Sequence, residues 1–212
     1  MHSIGGLMKK DFLLIRRFIW LLAIYAVVFS GIMQKENHTL IYSLFPGLLL
    51  ILGISSDSQR SAQQFLVSLP VPRNRLVLSK YLSSLILVVA AVLIATGMNF
   101  ASDLLYGHPV HLDLMLIVGT FLSMVIFMSI YLPFFYWLGL KGFQVVNVVM
   151  MIAIMVANGV MTSLLTASDF RFLQDRFLEQ PGLSWIFLIL LTLLVSVISY
   201  LISCRAFRTR DL

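Results

Sequence analysis

The chain has 212 residues, of which 60% are hydrophobic and only 11% are charged, and its formal net charge is +6. Soluble domains contain about 25% charged residues, so this composition excludes an ordinary soluble protein. The positive charge does not require a nucleic acid, because anionic lipid headgroups also attract basic residues. We therefore expect an integral membrane protein that contacts membrane lipids and binds no nucleic acid.

Six apolar runs are long enough to cross a membrane, since about 20 apolar residues span the hydrocarbon core as a helix. Backbone that is not helical would leave amides unsatisfied in lipid. The runs cover residues 18–33, 39–55, 81–100, 112–138, 143–166 and 183–204. The sequence predicts an all-α integral membrane protein with six transmembrane helices in a single transmembrane domain, residues 1–212.

The segment before the first span, residues 1–17, has the pattern of an amphipathic helix. Its apolar residues recur at helical spacing, and two basic pairs seven residues apart share the opposite face, Lys9 with Lys10 and Arg16 with Arg17. This pattern predicts a helix in the membrane interface. The alternative is a charged flank that only sets the topology.

The longest cytoplasmic connection, residues 56–80, lies between the second and third spans. Its first part, residues 57–65, is polar, contains no helix breaker and predicts a short helix. Pro70 and Pro72 then force extended backbone, and a helix beginning at Arg73 is expected to continue into the third span. A charged helix that projects from two spans is suited to docking a soluble partner. The alternative is a loop that only sets topology.

The outer connection between the fifth and sixth spans, residues 167–182, predicts a short amphipathic helix. Phe170, Leu173 and Phe177 fall on one helical face, and Pro181-Gly182 end the pattern. A solvated loop is the alternative.

Basic residues predict the orientation of the chain. Three of them, Lys35, Arg171 and Arg176, lie on one side of the predicted spans, and the other twelve lie on the opposite side. The positive-inside rule assigns the twelve to the cytoplasm. We therefore expect a multi-pass protein with both termini cytoplasmic.

Polar side chains inside the predicted spans mark either helix contacts or a translocation path. Asn and Gln are costly when they face lipid, so they should face another helix or a cavity. The candidates for a path are Asn99, Gln144, Asn147 and Asn158, the last three on one face of the fifth span.

No catalytic motif is present in the sequence. It has no GxxxxGK[ST] phosphate loop, no HExxH and no GxSxG. His108 and His111, close to Asp103 and Asp113, resemble a metal-binding group, but Pro109 between the histidines disfavours helical spacing of the ligands. We expect no metal site, no catalytic residue and no cofactor in this chain.

Two stretches of sequence carry a resemblance to a known family. The first is SLPVPR at 68–73 with VLSKY at 77–81, and the second is LPFFYWLGLK at 132–141. Both resemble motifs of small bacterial ATP-binding-cassette type-2 exporter permeases, which export antibiotics, bacteriocins and peptide toxins. The resemblance covers essentially the whole chain. It departs from the family at Pro72, where the usual residue is Ser or Thr.

The resemblance implies a permease that pairs with an identical or related second permease chain and with two cytoplasmic P-loop ATPase subunits, which bind ATP and Mg. Residues 57–65 would be the coupling helix, with Asp57, Arg60 and Phe65 contacting the ATPase. An elbow at the membrane interface would contain Pro70, Pro72, Arg73 and Lys80.

These expectations describe the permease subunit of an ATP-driven exporter in the bacterial plasma membrane, not an enzyme. Its substrate would be hydrophobic or amphipathic, such as a peptide, an antibiotic or a lipid-like molecule, because the spans contain no Lys, Arg or His and no Asp or Glu except at a span end. One alternative is a stand-alone immunity or accessory protein that sequesters a toxin without ATP. Another is a membrane enzyme with an atypical site.

Overall fold

A computed structural model of the chain describes residues 38–55, 72–106, 114–166 and 181–208, and every one of them except Pro72 is helical. The helices are α1 (His38–Ser55), α2 (Arg73–Tyr106), α3 (Leu114–Thr166) and α4 (Pro181–Arg208). The described part of the chain contains no β-strand, in agreement with the predicted all-α class.

Three helical segments are long and apolar enough to cross a membrane, Asn74–Ala101, Leu116–Leu138 and Ser184–Phe207. Two shorter apolar helical segments, Phe45–Ile54 and Val145–Ile154, accompany them. These five segments overlap the second to sixth predicted spans, and two of them, Asn74–Ala101 and Ser184–Phe207, extend beyond the predicted bounds. The first predicted span, the interfacial helix at 1–17, the helix at 57–65 and residues 167–180 of the predicted outer helix lie outside the described residues.

Helix α2 begins at Arg73, as the sequence predicts, and continues without interruption into the third span. The backbone N–H of Arg75 donates to the carbonyl of Pro72 at 2.8 Å, which starts the first turn. Proline before a helix fits this position because it has no N–H to satisfy. Helix α4 likewise begins at a proline, Pro181.

Helix α3 joins two predicted spans, the fourth and the fifth, in one helical element of 53 residues. Tyr131 nevertheless donates a hydrogen bond to the side-chain oxygen of Asn147. In a straight helix these residues would be about 24 Å apart, further than the two side chains can reach together. Helix α3 therefore changes direction sharply between them, and we call Leu116–Leu138 its first arm and Val145–Ile154 its second arm.

Helix α2 forms the centre of the packing. In its most apolar stretch 56% of the residues are buried, against 17% in α4. Phe45 and Leu49 of α1 pack with Leu87, Ala91 and Ala95 of α2. Further along α1, Leu50 and Ile54 share a larger cluster with Val77 and Tyr81 of α2, to which both arms of α3 also contribute. Helices α1 and α2 are thus antiparallel.

Four helical segments meet at one end of the molecule. They are the C-terminal end of α1, the N-terminal end of α2, the last turns of the first arm of α3 and the C-terminal end of α4. Lys80 contacts Gly53, and Tyr136 packs edge-on against Phe207. We call this the basic end, because Arg75, Lys80 and Arg205 lie in it. The fold therefore gathers basic residues that are distant in the sequence.

Candidate functional site

Three consecutive residues at the start of α2, Ser79, Lys80 and Tyr81, belong to the motif that carried the family resemblance. Consecutive helical residues point about 100° apart, so the three side chains leave α2 in different directions. All three are nonetheless buried, with Lys80 only 5% exposed and Tyr81 8% exposed. Helix α2 is therefore enclosed on several sides here, and we call the three residues the junction.

Ser79 satisfies its hydroxyl within its own helix. Its Oγ donates to the carbonyl of Leu76 at 2.8 Å, the local bond that serines commonly form in helices. A small polar side chain of this kind can be buried in the packed region without a partner from another helix.

Lys80 connects α2 to α1. Its Nζ donates to the carbonyl oxygen of Gly53 at 3.1 Å. Gly53 lies two residues before Ser55, the last described residue of α1. Lys80 therefore joins α2 to α1 close to the segment that connects these two helices.

Tyr81 connects α2 to α4. Its hydroxyl lies 2.6 Å from the hydroxyl of Ser199 and 2.9 Å from that of Ser203. Its ring also packs perpendicular to the ring of Tyr200, with centroids 5.6 Å apart. Hydrogen bonds between apolar helices are suited to holding them in one register.

The same serine face of α4 also contacts α3. Ser196 lies 3.0 Å from Ser129, hydroxyl to hydroxyl, and Ser199 donates to the carbonyl of Ser129 at 2.5 Å. A continuous set of polar contacts thus runs from α1 through Lys80 and Tyr81 of α2 to α4, and from α4 to α3.

The second motif, at 132–141, also packs near the basic end. Leu132, Phe135 and Tyr136 are buried. The Tyr136 ring contacts Phe135 and Phe207 edge-on, at centroid distances of 5.2 and 5.3 Å. The motif thus packs the first arm of α3 against the C-terminal end of α4.

The predicted coupling residues Asp57, Arg60 and Phe65, and also Pro70, lie outside the described residues. In the predicted elbow, Pro72 is exposed and Arg73 is the first residue of α2. The amine of Lys80 is directed to Gly53 in the interior rather than outward.

The four predicted path residues are not brought together in a described cavity. Asn147 is half-buried and accepts the hydrogen bond from Tyr131, which makes it a contact between the two arms of α3. Asn99 is half-buried in α2. Gln144 and Asn158 belong to α3, and their side chains are outside the described set.

The connection from Tyr81 to α4 was not predicted from the sequence. The signal was nevertheless present, because Ser196, Ser199 and Ser203 recur at intervals of three and four in an otherwise apolar helix. That spacing places them on one face.

Side-chain contacts link the four described helices to one another. Within the four described ranges, no three His, Cys, Asp or Glu side chains lie close enough to hold a metal ion. Rigid polar contacts between helices transmit displacement from one helix to the next, because packed interiors do not deform freely.

Comparison with known proteins identifies the family of the chain. A family model described as "ABC-2 family transporter protein" matches residues 6–208. Searches of curated proteins and of solved structures found no match. Proteins of this family are typically membrane-embedded, non-enzymatic permease subunits that work with an ATPase subunit. The matched region covers nearly the whole chain, and the protein therefore belongs to the ABC-2 family of transporters as a membrane permease.

Proposed function

We propose that the chain is the permease subunit of an ATP-driven exporter, and that the junction of Ser79, Lys80 and Tyr81 transmits movement from the ATPase to the membrane helices. The observation that carries this proposal is the pair of contacts from neighbouring residues, Lys80 to Gly53 of α1 and Tyr81 to Ser199 and Ser203 of α4. Family membership supports the permease role.

The proposed input is the segment of residues 56–71, with a coupling helix at 57–65. The two ends of this segment lead into the helices that Lys80 joins. Ser55 is two residues beyond Gly53, and α2 begins at Arg73, seven residues before Lys80. A force on the segment would thus reach α1 and α2 at the point where Lys80 joins them. Tyr81 would pass the displacement on to α4.

The proposed assembly contains two P-loop ATPase subunits, which bind ATP and Mg, and a second permease chain. The proposed topology has six spans in the bacterial plasma membrane, with the basic end and both termini in the cytoplasm. The convergence of Arg75, Lys80 and Arg205 at one end supports this orientation, because basic residues favour the cytoplasmic side.

The proposed substrate is hydrophobic or amphipathic, such as a peptide, an antibiotic or a lipid-like molecule. Long uncharged stretches in two of the described helices support this class. Between Leu116 and Leu138, and between Ser184 and Ile202, there is no Asp, Glu, Lys or Arg. A charged solute crossing the membrane beside such surfaces would lose its hydration without compensation.

Co-purification tests the proposal. The tagged permease is isolated without crosslinker, and a P-loop ATPase is expected in the eluate. Arg60→Glu and Phe65→Ala should each reduce the recovered ATPase, because arginine and aromatic side chains often dominate small interfaces. The permease itself should insert normally, since neither residue belongs to a predicted span.

Matched controls on the predicted outer loop are Arg176→Glu and Phe170→Ala, which make the same chemical changes. Both should leave the ATPase attached. Full ATPase recovery with Arg60→Glu and Phe65→Ala would mean that this loop only sets topology. Absence of any ATPase, together with tight binding of a toxin by the permease alone, would favour sequestration instead.

A further inference from the structure

A groove between the first arm of α3 and helix α4 is open to the surroundings of the molecule. Its volume is 570 Å³, within the ~300–1,000 Å³ typical of sites for small molecules. Aliphatic and aromatic side chains line most of it, including Ile130, Phe134, Ile198 and Ile202. The groove therefore suits a ligand that is largely apolar.

At one end of the groove are two buried serines, Ser129 and Ser199. Their hydroxyls already donate within the protein, Ser129 to the carbonyl of Val125 at 2.8 Å and Ser199 to the carbonyl of Ser129 at 2.5 Å. This end therefore does not select for a polar group, and it suits the end of a hydrocarbon chain.

The other end of the groove is cationic and lies at the basic end. Arg205 lines it and is exposed, and Trp137 lines it with 70% of its surface exposed. Tyr136 and Phe207, which are close in sequence to Trp137 and Arg205, contact each other. Trp137 and Arg205 therefore lie at the same level along the two helices. Tryptophan and arginine together are typical of the membrane–water interface.

The length of the groove matches one leaflet of a bilayer. Its lining on α4 extends from Val195 to Ala206, twelve residues that cover about 16 Å along the helix. Half of the ~30 Å hydrocarbon core is about the same distance. A chain in the groove would thus extend from the interface to the bilayer centre.

We infer that this groove is a binding site for one anionic phospholipid, with an acyl chain along α3 and α4 and the phosphate at the guanidinium of Arg205. Arginine matches phosphate oxygens with two parallel N–H donors, which supplies the charge complementarity. This site depends only on the chain's location in a membrane, not on the transported substrate or the ATPase.

Quenching of tryptophan fluorescence tests the inference on the full-length chain. Trp137 is made the only tryptophan by Trp20→Phe and Trp185→Phe, and the protein is reconstituted in phosphatidylcholine bilayers. Phosphatidylglycerol or phosphatidylcholine with brominated acyl chains is then added at equal mole fractions. We expect phosphatidylglycerol to bind beside Trp137 with about fivefold preference, the ratio that one basic residue gives at an anionic headgroup.

Variants of the same background locate the charge that is responsible. Arg205→Gln should bring the preference close to one, and Arg205→Lys should retain most of it. Arg75→Gln removes an equally exposed charge at the basic end but outside the groove, so it should leave the preference in place. The comparison of the two lipids in the parent tests the preference for an anionic headgroup even if one variant does not fold.

Three results would overturn the inference. Equal quenching by the two lipids in the parent would mean that the groove does not select a charge. A preference for phosphatidylglycerol that persists in Arg205→Gln would mean that other basic residues cause it. Absence of quenching by either lipid would mean that another protein chain, such as a second copy, covers the groove.

Discussion

Lys80 is the residue whose burial most needs an explanation at the residue scale. Removing an ammonium group from water is costly unless the group finds polar partners. The carbonyl of Gly53 is one such partner, 3.1 Å from Nζ. This contact offsets part of the cost of burying the ammonium group of Lys80.

The hydroxyl of Tyr81 leads to a prediction about coupling between residues. Tyr81→Phe removes its contacts with Ser199 and Ser203, and Ser203→Ala removes one of them. Each variant should lower the stability of the permease in detergent by roughly 0.6–2 kcal/mol, the range for hydrogen bonds between membrane helices. The double variant should lose less than the sum of the two, because both remove the same bond.

Thr192→Val is the matched control for the pair Tyr81→Phe and Ser203→Ala. Thr192 is also buried on α4, but its hydroxyl donates to Leu188 within the same helix, at 2.8 Å. Its effect should therefore add to that of Tyr81→Phe. Strict additivity for Tyr81→Phe with Ser203→Ala, in equilibrium unfolding, would mean that this contact contributes no stability.

The sequence located the junction but not its contacts. Lys80 stood out as part of a family motif and as a basic residue near a membrane, which suggested an outward role at the headgroups. Its partner, Gly53, is 27 residues away, and pairing at that distance depends on how α1 and α2 pack. Local sequence patterns contain no information about that packing.

At the element scale, a glycine sets how closely α1 approaches the second arm of α3. A Cβ at Gly47 would lie 2.7 Å from Cδ1 of Ile154 and 3.4 Å from its Cγ2. Small residues at such positions allow the backbones of membrane helices to approach each other. Helix α1 is helical through Gly47 and the neighbouring Pro46.

This contact predicts that the effect of Gly47→Ala on stability depends on the residue at position 154. Alanine favours helix by up to about 1 kcal/mol relative to glycine, but in the parent the new methyl group meets Cδ1 of Ile154. Ile154→Val removes that methyl group. Gly47→Ala should therefore be more favourable in the Ile154→Val background than in the parent, as measured by thermal unfolding in detergent.

Gly97→Ala is the control for that comparison. A Cβ at Gly97 of α2 would have no atom within 4 Å, so the effect of this substitution should be the same in both backgrounds. An unchanged effect of Gly47→Ala in the two backgrounds would contradict the close approach of α1 and α3.

The elements themselves were largely predictable, because apolar runs of span length specify helices in lipid. The predicted bounds 39–55 and 183–204 lie close to His38–Ser55 and Pro181–Arg208. The form of the connection between the fourth and fifth spans was not predictable. Residues 139–142 separate the two predicted spans, whereas α3 is one helical element through them. The contact between Tyr131 and Asn147 shows that α3 nevertheless changes direction there, as two successive spans require.

At the scale of the whole molecule, topology follows from the distribution of basic residues. Cys204 is the single cysteine, so a Cys204→Ser background permits labelling at chosen sites. Ser102→Cys should react with an impermeant thiol reagent added from outside the cell, and Ser61→Cys should react only after the membrane is made permeable. The reverse pattern would contradict the proposed orientation and the loop assignments with it.

The central claim is that the ATPase moves the membrane helices through Lys80 and Tyr81. The most direct test uses Gly182→Cys, at the end of α4 opposite the basic end. Its rate of reaction with a thiol reagent is measured in the purified permease–ATPase complex with and without ATP. Lys80→Met removes the contact with Gly53, and Arg75→Met removes an exposed charge from the same helix as a control. We expect ATP to change the labelling rate in the parent and in Arg75→Met, and to have little effect in Lys80→Met although the ATPase remains bound. An ATP-dependent change as large in Lys80→Met as in the parent would contradict the account.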